Sequence, residues 1–299
     1  MSTEIDPNII LRVAAKGDGV TADGRHVAFS APLDRLNEDG GLTKGPHHVE
    51  PPCQHFKQCG GCSLQQLDDE SYAQFVTDRV VYALEGQGLS AGTLHPPQIS
   101  KPKSRIRASL RAAMVGSSFK LGFSGAGSHR IVDLKQCEIM RPELFAVIRP
   151  LRIFLKSVAQ RKHDMNVEMS LTDQGVDLCI KNYEPENLEQ REALAGFAKA
   201  NNLARLSVDN GFGPETQWEP EPVTVTFGGL AVALPHNSFL QPTSDGKAAL
   251  VAAMLETVGD IKLVADLFAG LGTFTFALGE DKKVYAAEGS RDAIAALKM

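Results

Sequence analysis

Apolar and polar residues alternate most regularly over residues 105–115, with the sequence RIRASLRAAMV. The apolar positions of this stretch are Ile106, Ala108, Leu110, Ala112 and Met114. Its cationic positions, on the opposite face, are Arg105, Arg107 and Arg111. Successive side chains of a β-strand point to opposite faces, so the pattern predicts a half-buried antiparallel strand with a cationic outer face.

Other periodic segments predict a mixture of strands and helices around this strand. Apolar spacing of three and four residues predicts helices over 64–85, 141–160 and 187–200. Alternation and turn residues predict strands over 119–123, 129–134 and 204–209, and hairpins over 166–181 and 219–234. Residues 9–30 predict two short strands, followed by an irregular connection over 31–52.

The pattern changes at residue 243. A helix over 243–257, a strand over 263–268, a helix over 273–279 and a strand over 283–288 are expected, followed by the start of another helix. This order is typical of a doubly wound parallel sheet. The predicted fold class is an α+β central domain with an antiparallel sheet and a cysteine loop, followed by the start of an α/β Rossmann-like domain.

Composition places the chain among cytoplasmic globular proteins. It has 299 residues, 43% hydrophobic and 22% charged, enough for two or three domains. No apolar run reaches the length of a membrane span, and the first residues lack the layout of a signal peptide. In that compartment cysteines are metal ligands more often than disulfides.

Charge is unevenly distributed along the chain. The net charge is −5, yet residues 101–135 hold eight basic residues and one acid. Residues 184–222 hold eight acids and three basic residues. The basic segment favours a localised site for a polyanion; the alternative is a solvated charged face.

Four cysteines have the distribution of a metal centre. Cys53, Cys59 and Cys62 lie in PPCQHFKQCGGCSLQQ, and Cys137 follows 75 positions after Cys62. Thiolates select zinc or iron–sulfur clusters. Zinc sites usually consist of two close pairs, so three local cysteines and one distant one favour iron–sulfur. Cys179 lies in an alternating strand and is interpreted as a small core residue.

A glycine-rich turn predicts a nucleoside site. DLFAGLGTF (266–274) joins a strand to a predicted helix, and Gly270 and Gly272 permit close approach of the backbone to a ligand. Glu288 ends the next predicted strand, where an acid can accept both hydroxyls of a ribose. The turn lacks the third glycine that accompanies a pyrophosphate, so S-adenosylmethionine fits better than NAD.

These motifs together resemble the RNA uracil-5-methyltransferase family, in the iron–sulfur branch that modifies 23S ribosomal RNA. The resemblance runs through the cysteine loop, RIRASLRAAM…KLGFSGAGSHRIVDLKQC, SFLQP and DLFAGLGTFTFAL…VYAAE. It implies a class I S-adenosylmethionine-dependent enzyme that methylates uracil C5 in RNA. It also implies a [4Fe–4S] cluster on Cys53, Cys59, Cys62 and Cys137.

The resemblance further implies S-adenosylmethionine contacts at Gln241, Phe268, Thr273 and Glu288. Thr273 departs from the asparagine often found at its position. The cationic strand, with Arg105, Arg107 and Arg111, is expected to contact RNA, ribosomal rather than transfer RNA. A monomer that does not associate with membranes is expected.

Three domains are predicted on this basis. Residues 1–52 resemble a shortened TRAM or OB-like segment without the strands of a complete five-stranded barrel. Residues 53–235 form the iron–sulfur and RNA-binding domain, and residues 236–299 a truncated methyltransferase domain.

The resemblance also predicts that this chain is inactive. The family's cysteine nucleophile, which adds to uracil C6, and its base lie downstream of the second sheet strand, beyond Met299. No catalytic residue is therefore expected in the chain. The alternatives are a non-catalytic RNA-binding iron–sulfur protein and a zinc-bound RNA-binding module.

Overall fold

The computed structural model describes residues 6–158 and 164–298. The chain divides into two compact units, one of residues 1–99 with 124–132 and the other of residues 100–123 with 133–299. Among the described residues, no helix is both long and apolar enough to cross a bilayer.

The first unit begins with short strands. β1 (Ile10–Val13), β2 (Gly19–Thr21) and β3 (His26–Val27) form a three-stranded antiparallel sheet. β4 (Arg35–Leu36) and β5 (Leu42–Thr43) form a hairpin. The expectation of two strands over 9–30 and an irregular connection over 31–52 is therefore wrong, because 9–30 holds the additional strand β3 and 31–52 holds the β4–β5 hairpin. These strands are two residues long, too short to produce a visible alternation.

The helix of the first unit is α1 (Asp69–Glu85), which begins five residues later than predicted. Asp68 is its N-cap, and its carboxylate accepts a hydrogen bond from the backbone N–H of Ser71. This satisfies a donor that the first helical turn leaves without a partner. The helix ends at Glu85, as predicted, and Gly86 is its C-cap.

The second unit is built on a six-stranded sheet with the order β11-β10-β9-β8-β6-β7. Its strands are β6 (Arg107–Val115), β7 (Ser118–Gly122), β8 (Met165–Thr172), β9 (Gly175–Lys181), β10 (Leu203–Asp209) and β11 (Glu215–Trp218). The β9–β10 pair is parallel and the others are antiparallel, so the sheet is mixed rather than wholly antiparallel. Parallel pairing requires a crossover connection, which α3 (Leu188–Ala200) supplies.

The predicted strand over 129–134 does not form. Within the first unit, Ile131 makes a single bridge to Ser124, and the backbone around it is irregular. Glycines and serines in FSGAGSH precede this segment, and they favour turns over a continuous ladder.

The core of the second unit lies between this sheet and helices α2 (Pro142–Val158) and α3. On α2, Leu144, Ile148, Leu151 and Leu155 are almost completely buried, at helical spacing. Ala108, Leu110 and Ala112 of β6 are buried in the same core, which confirms the predicted alternation over 108–112. It does not extend to the end of the strand, because Ala113 is also buried and Met114 only partly so. Residues 159 and 160 of the predicted helix lie outside the described residues.

A second apolar cluster joins later elements of this unit. The hairpin of β12 (Thr224–Phe227) and β13 (Leu230–Ala233) contributes Val225, Phe227 and Val232. Leu240 and Leu271 are buried in the same cluster. The segments that carry SFLQP and the glycine-rich turn therefore pack against one core.

The last elements are α4 (Ser244–Val258), β14 (Leu263–Leu267), β15 (Lys283–Ala287) and α5 (Arg291–Leu297). β14 and β15 pair in parallel, as predicted. The helix expected over 273–279 is wrong, because turns and a short 3₁₀ helix, Phe276–Leu278, occupy this segment. Thr275 is bound through its hydroxyl to Asp266 at 2.6 Å, and this side-chain bond ties the segment to the end of β14.

Candidate functional site

The glycine-rich turn begins at the carboxyl end of β14, where ligands bind in open α/β sheets. Phe268 follows this strand with a φ of +62° and is 91% exposed. A non-glycine residue in this region is strained, and such strain often marks a ligand site. The structure therefore presents Phe268 to solvent at the position expected for a cofactor contact.

Position 272 requires glycine, because no side chain fits there. Its φ is +87°, and a Cβ atom there would lie 2.5 Å from the Phe276 ring. Gly270 also has a positive φ, +57°, but a Cβ there would meet nothing within 4 Å. Gly272 thus serves packing inside the turn, whereas the open space at Gly270 is compatible with a ligand. Thr273 follows in the same turn and is half-buried.

Glu288 closes the turn from the end of β15. Its carboxylate accepts hydrogen bonds from the backbone N–H groups of Gly270 at 2.8 Å, Gly289 at 2.7 Å and Ser290 at 2.8 Å. The bonds from Ser290 and Gly270 lower the pKa of Glu288, so the carboxylate is ionised at neutral pH. The structure therefore brings Glu288 and Gly270 together.

Gln241 lies between two fixed neighbours. Leu240 is buried in the second apolar cluster, and the carbonyl of Pro242 accepts a 2.8 Å hydrogen bond from the N–H of Ile106. Gln241 itself is half-buried. Leu271 of the glycine-rich turn belongs to the same cluster as Leu240, so the two candidate cofactor segments share their support.

The three candidate RNA-binding arginines differ in environment. The Arg107 guanidinium lies 4.5 Å from the centre of the Phe239 ring, a cation–π contact. Arg111 forms an ion pair with Asp164 at 2.5 Å. Arg105 precedes β6, and its backbone bonds to Ile139 and Arg141.

The cysteine loop lies in the first unit. The N–H of Cys59 donates to the His55 carbonyl at 2.8 Å, and that of Gly60 donates to the Ser124 carbonyl at 2.9 Å. The Gly61 N–H lies 3.4 Å from the Cys59 sulfur and donates to it. Donors of this kind stabilise thiolate ligands and tune iron–sulfur centres.

Gly60 of this loop lies in a narrow space. A Cβ atom at Gly60 would lie 2.9 Å from the Ser124 carbonyl oxygen. Cys59 is buried, while Cys53 and Cys62 are half-buried. The first three predicted ligands thus share one constrained loop.

The other two cysteines belong to the second unit. Cys137 is half-buried and follows Val132, the last residue of the first unit, by five positions. Cys179 lies on β9, and burial raises the pKa of its thiol to about 12. A thiol with such a pKa is a poor nucleophile, in accord with its interpretation as a packing residue.

Sequence reasoning missed a buried ion pair between β9 and β10. Arg205 of β10 is 4% exposed and binds Asp177 of β9 through two hydrogen bonds, at 2.9 and 2.8 Å. An arginine between the apolar residues Ala204 and Leu206 of this strand was its sequence signal, since a buried cation requires a partner.

Comparisons with known proteins identify close relatives. The chain is 48% identical over 290 residues to an uncharacterised RNA methyltransferase of Zymomonas mobilis, covering 97% of this chain and 73% of that protein. It is 33% identical to an uncharacterised RNA methyltransferase of Brucella suis, covering 96% and 71%. A 23S rRNA (uracil(1939)-C(5))-methyltransferase of Pectobacterium atrosepticum is 29% identical, covering 80% and 54%. No protein-family model matches the chain.

A solved structure shows the same mixed α/β fold. It is the tRNA (uracil-54, C5)-methyltransferase of Pyrococcus abyssi in complex with S-adenosyl-L-homocysteine. The TM-score is 0.71 at 19% identity, covering 97% of this chain and 75% of that chain. At this identity the likeness concerns the fold.

Proposed function

The chain belongs to the RNA methyltransferase family of these relatives, and we propose from this premise that it serves S-adenosylmethionine-dependent methylation of uracil C5 in RNA. The observation that carries the proposal is the pairing of Glu288 with Gly270 at the carboxyl ends of β14 and β15. The named uracil methyltransferases among the similar proteins support the choice of uracil as the base.

The groups at this turn suit S-adenosylmethionine as a ligand. The ionised Glu288 would accept the ribose hydroxyls, and Gly270 leaves the backbone open to the ligand. Phe268, Thr273 and Gln241 would line the site, with Gly272 shaping the turn. The cofactor, when bound, supplies an electrophilic methyl group.

A [4Fe–4S] cluster is proposed on Cys53, Cys59, Cys62 and Cys137. Its support is the constrained loop of the first three cysteines and the N–H···S hydrogen bond to Cys59. The role assigned to it is structural, to stabilise the fold around the cysteine loop. A zinc ion on the same thiolates is the alternative.

RNA binding is proposed for Arg105, Arg107 and Arg111. Arg107 and the exposed Phe239 form a cationic and aromatic pair, a combination suited to an unstacked RNA segment. Ribosomal RNA is the proposed substrate, since the named relative with the higher sequence identity, 29% against 19%, is a 23S rRNA methyltransferase.

We propose that residues 1–299 alone do not complete the reaction. Addition to uracil C6 requires a reactive thiolate. Four of the five cysteines are assigned to the cluster, and the thiol of Cys179 has a pKa of about 12. The second candidate function is therefore RNA binding without catalysis, favoured by this lack of an available thiolate.

Anaerobic purification tests the cluster. Absorbance at about 400 nm and about four irons per chain are expected. Cys59→Ser should abolish both the absorbance and the bound iron. Cys179→Ser is the matched control and should retain the iron. A colourless protein that contains one zinc per chain would show that the thiolates bind zinc instead of a cluster.

Calorimetry with S-adenosyl-L-homocysteine tests the cofactor site. Binding by the unmodified chain, and its loss in Glu288→Ala, are expected. Transfer of a labelled methyl group to unmodified ribosomal RNA separates an enzyme from an RNA-binding protein. A uracil-5 product made by residues 1–299 would overturn the proposed lack of turnover.

A further inference from the structure

A buried polar network lies beneath the segment of residues 235–241, called here the 235–241 loop. Arg205, held by Asp177, also donates through Nη1 to the Leu234 carbonyl at 3.0 Å. That carbonyl is two residues before His236. Since a buried polar group without a partner is costly, this bond fixes the start of the loop on the six-stranded sheet.

His236 makes a second attachment within this loop. Its Nδ1 atom lies 3.4 Å from the Ser207 hydroxyl, and its Nε2 atom lies 3.1 Å from the Thr216 hydroxyl. Ser207 is fully buried on β10, and Thr216 lies on β11. The imidazole therefore joins the loop to two strands.

The far end of the loop is fixed independently. Leu240 is buried, and Pro242 accepts the hydrogen bond from Ile106. Gln241 lies between these two residues, so its backbone has little conformational freedom as long as the start of the loop is also held in place. The entry point is set by Arg205 and His236.

We propose that Arg205 and His236 are positioning residues, which hold the 235–241 loop so that Gln241 is presented to S-adenosylmethionine. The assignment of Gln241 rests on the proposed function. The attachment of the loop by Arg205 and His236 does not, so the two are tested separately.

The network makes this attachment sensitive to acid. The charged groups that face His236 are Arg205 on β10, Asp177 on β9 and Glu219 after β11. Burial, and then the Arg205 cation, lower the pKa of His236 below its usual 6.5. The unfolded loop thus binds a proton more readily, and the attachment weakens as pH falls through 6.5 toward the lower folded-state pKa.

Replacement of the ion pair separates positioning from stability. In the double variant Asp177→Leu, Arg205→Met, both charges are removed, which often preserves or raises stability. We expect an unchanged or higher melting temperature, faster amide exchange over 235–243, and about tenfold weaker S-adenosyl-L-homocysteine binding. Unchanged exchange in a folded variant would overturn the proposal.

Arg152→Met is the matched control. Arg152 also donates to a backbone carbonyl, that of Leu134 at 2.6 Å, and pairs with Asp133 at 3.0 Å, but on α2. It should leave exchange over 235–243 and ligand affinity unchanged. Arg205→Lys, which keeps the charge, should retain part of the protection that the double variant loses.

His236→Gln tests the pH dependence. In the unmodified chain, ligand affinity and protection of 235–243 should decline together below about pH 6.5. The variant should show a flatter profile, and an identical profile would exclude His236. If the unmodified chain binds no ligand, the proposed function fails, and amide exchange alone decides the positioning role.

Discussion

The six-stranded sheet and the β14–β15 pair are built from similarly apolar strands, yet their environments differ. Leu110 of β6 and Leu178 of β9 are at most 1% exposed, whereas Leu263 and Leu267 of β14 are 69% and 63% exposed. Tyr285 of β15 is 67% exposed. Helices α2 and α3 pack on the six-stranded sheet, while α4 has no buried residue. Strand composition alone therefore does not determine burial.

The difference separates the packed sheet from the turn that carries the proposed cofactor contacts. The packed sheet supplies the rigid support, and it carries Arg107, Arg111 and Arg205. The β14–β15 pair carries the positive-φ turn and the carboxylate of Glu288. Binding residues commonly lie on loops positioned by a rigid scaffold, and this division follows that rule.

The largest effect is expected from truncating the packed core. Leu151→Ala removes a fully buried side chain on α2 and should lower the free energy of unfolding by about 2–5 kcal/mol. Leu263→Ala, at an exposed position, should change it by about 0.5 kcal/mol or less. Chemical denaturation measures both. Similar losses in the two variants would contradict the contrast between the sheets.

A smaller effect is expected inside the glycine-rich turn. Gly272→Ala combines an unfavourable φ with a close contact to Phe276 and should cost about 1–3 kcal/mol. Gly270→Ala has the unfavourable φ without the contact and should cost about 1 kcal/mol. Thermal unfolding compares them, and an equal cost would exclude the packing role of Gly272.

Phe268 should show a conflict between stability and binding. Phe268→Gly relieves the strain at its positive φ and should raise stability by up to about 1 kcal/mol, while ligand affinity falls. Phe212 is the control, since it is 96% exposed without a positive φ. Phe212→Gly should bring no gain in stability and no change in affinity. A Phe268→Gly variant that binds normally would remove Phe268 from the site.

The smallest effect concerns the protonation of Glu288. Its backbone hydrogen bonds lower its pKa from 4.5, so their contribution is complete above that pH and declines as pH falls through the folded-state pKa. The Gly270 amide resonance should therefore be constant between about pH 7 and pH 5 and shift in acid. In Glu288→Gln this acid shift should disappear. Its persistence would point to another titrating group.

Prediction from sequence succeeded where periodicity was strong. The alternation in β6 identified a buried face, and both β8–β9 and β12–β13 form the expected hairpins. It failed over 129–134 and 273–279, where short segments that follow glycine-rich turns lack a full period. It also missed the parallel β9–β10 pair, because pairing direction depends on where α3 returns the chain.

The candidate site was predicted only in part. The glycine-rich turn and Glu288 were found because a strand–turn pattern places them at one sheet edge, and the bond between Gly270 and Glu288 confirms that proximity. The cluster on Cys53, Cys59, Cys62 and Cys137 stays a prediction. The bond from Arg205 to the Leu234 carbonyl was not foreseen, since their separation of 29 positions carries no periodic signal.

The sequence by itself determined which segments are periodic, where the thiols and the glycine-rich turn occur, and which reaction class their combination resembles. Only the tertiary structure decided that Arg205 is buried against Asp177, that Glu288 accepts the Gly270 N–H, and that β14 remains exposed. The physical reason is the distance along the chain over which each effect acts. Periodicity and turn chemistry act over a few neighbouring residues, whereas burial and ion pairing depend on contacts between segments that are distant along the chain.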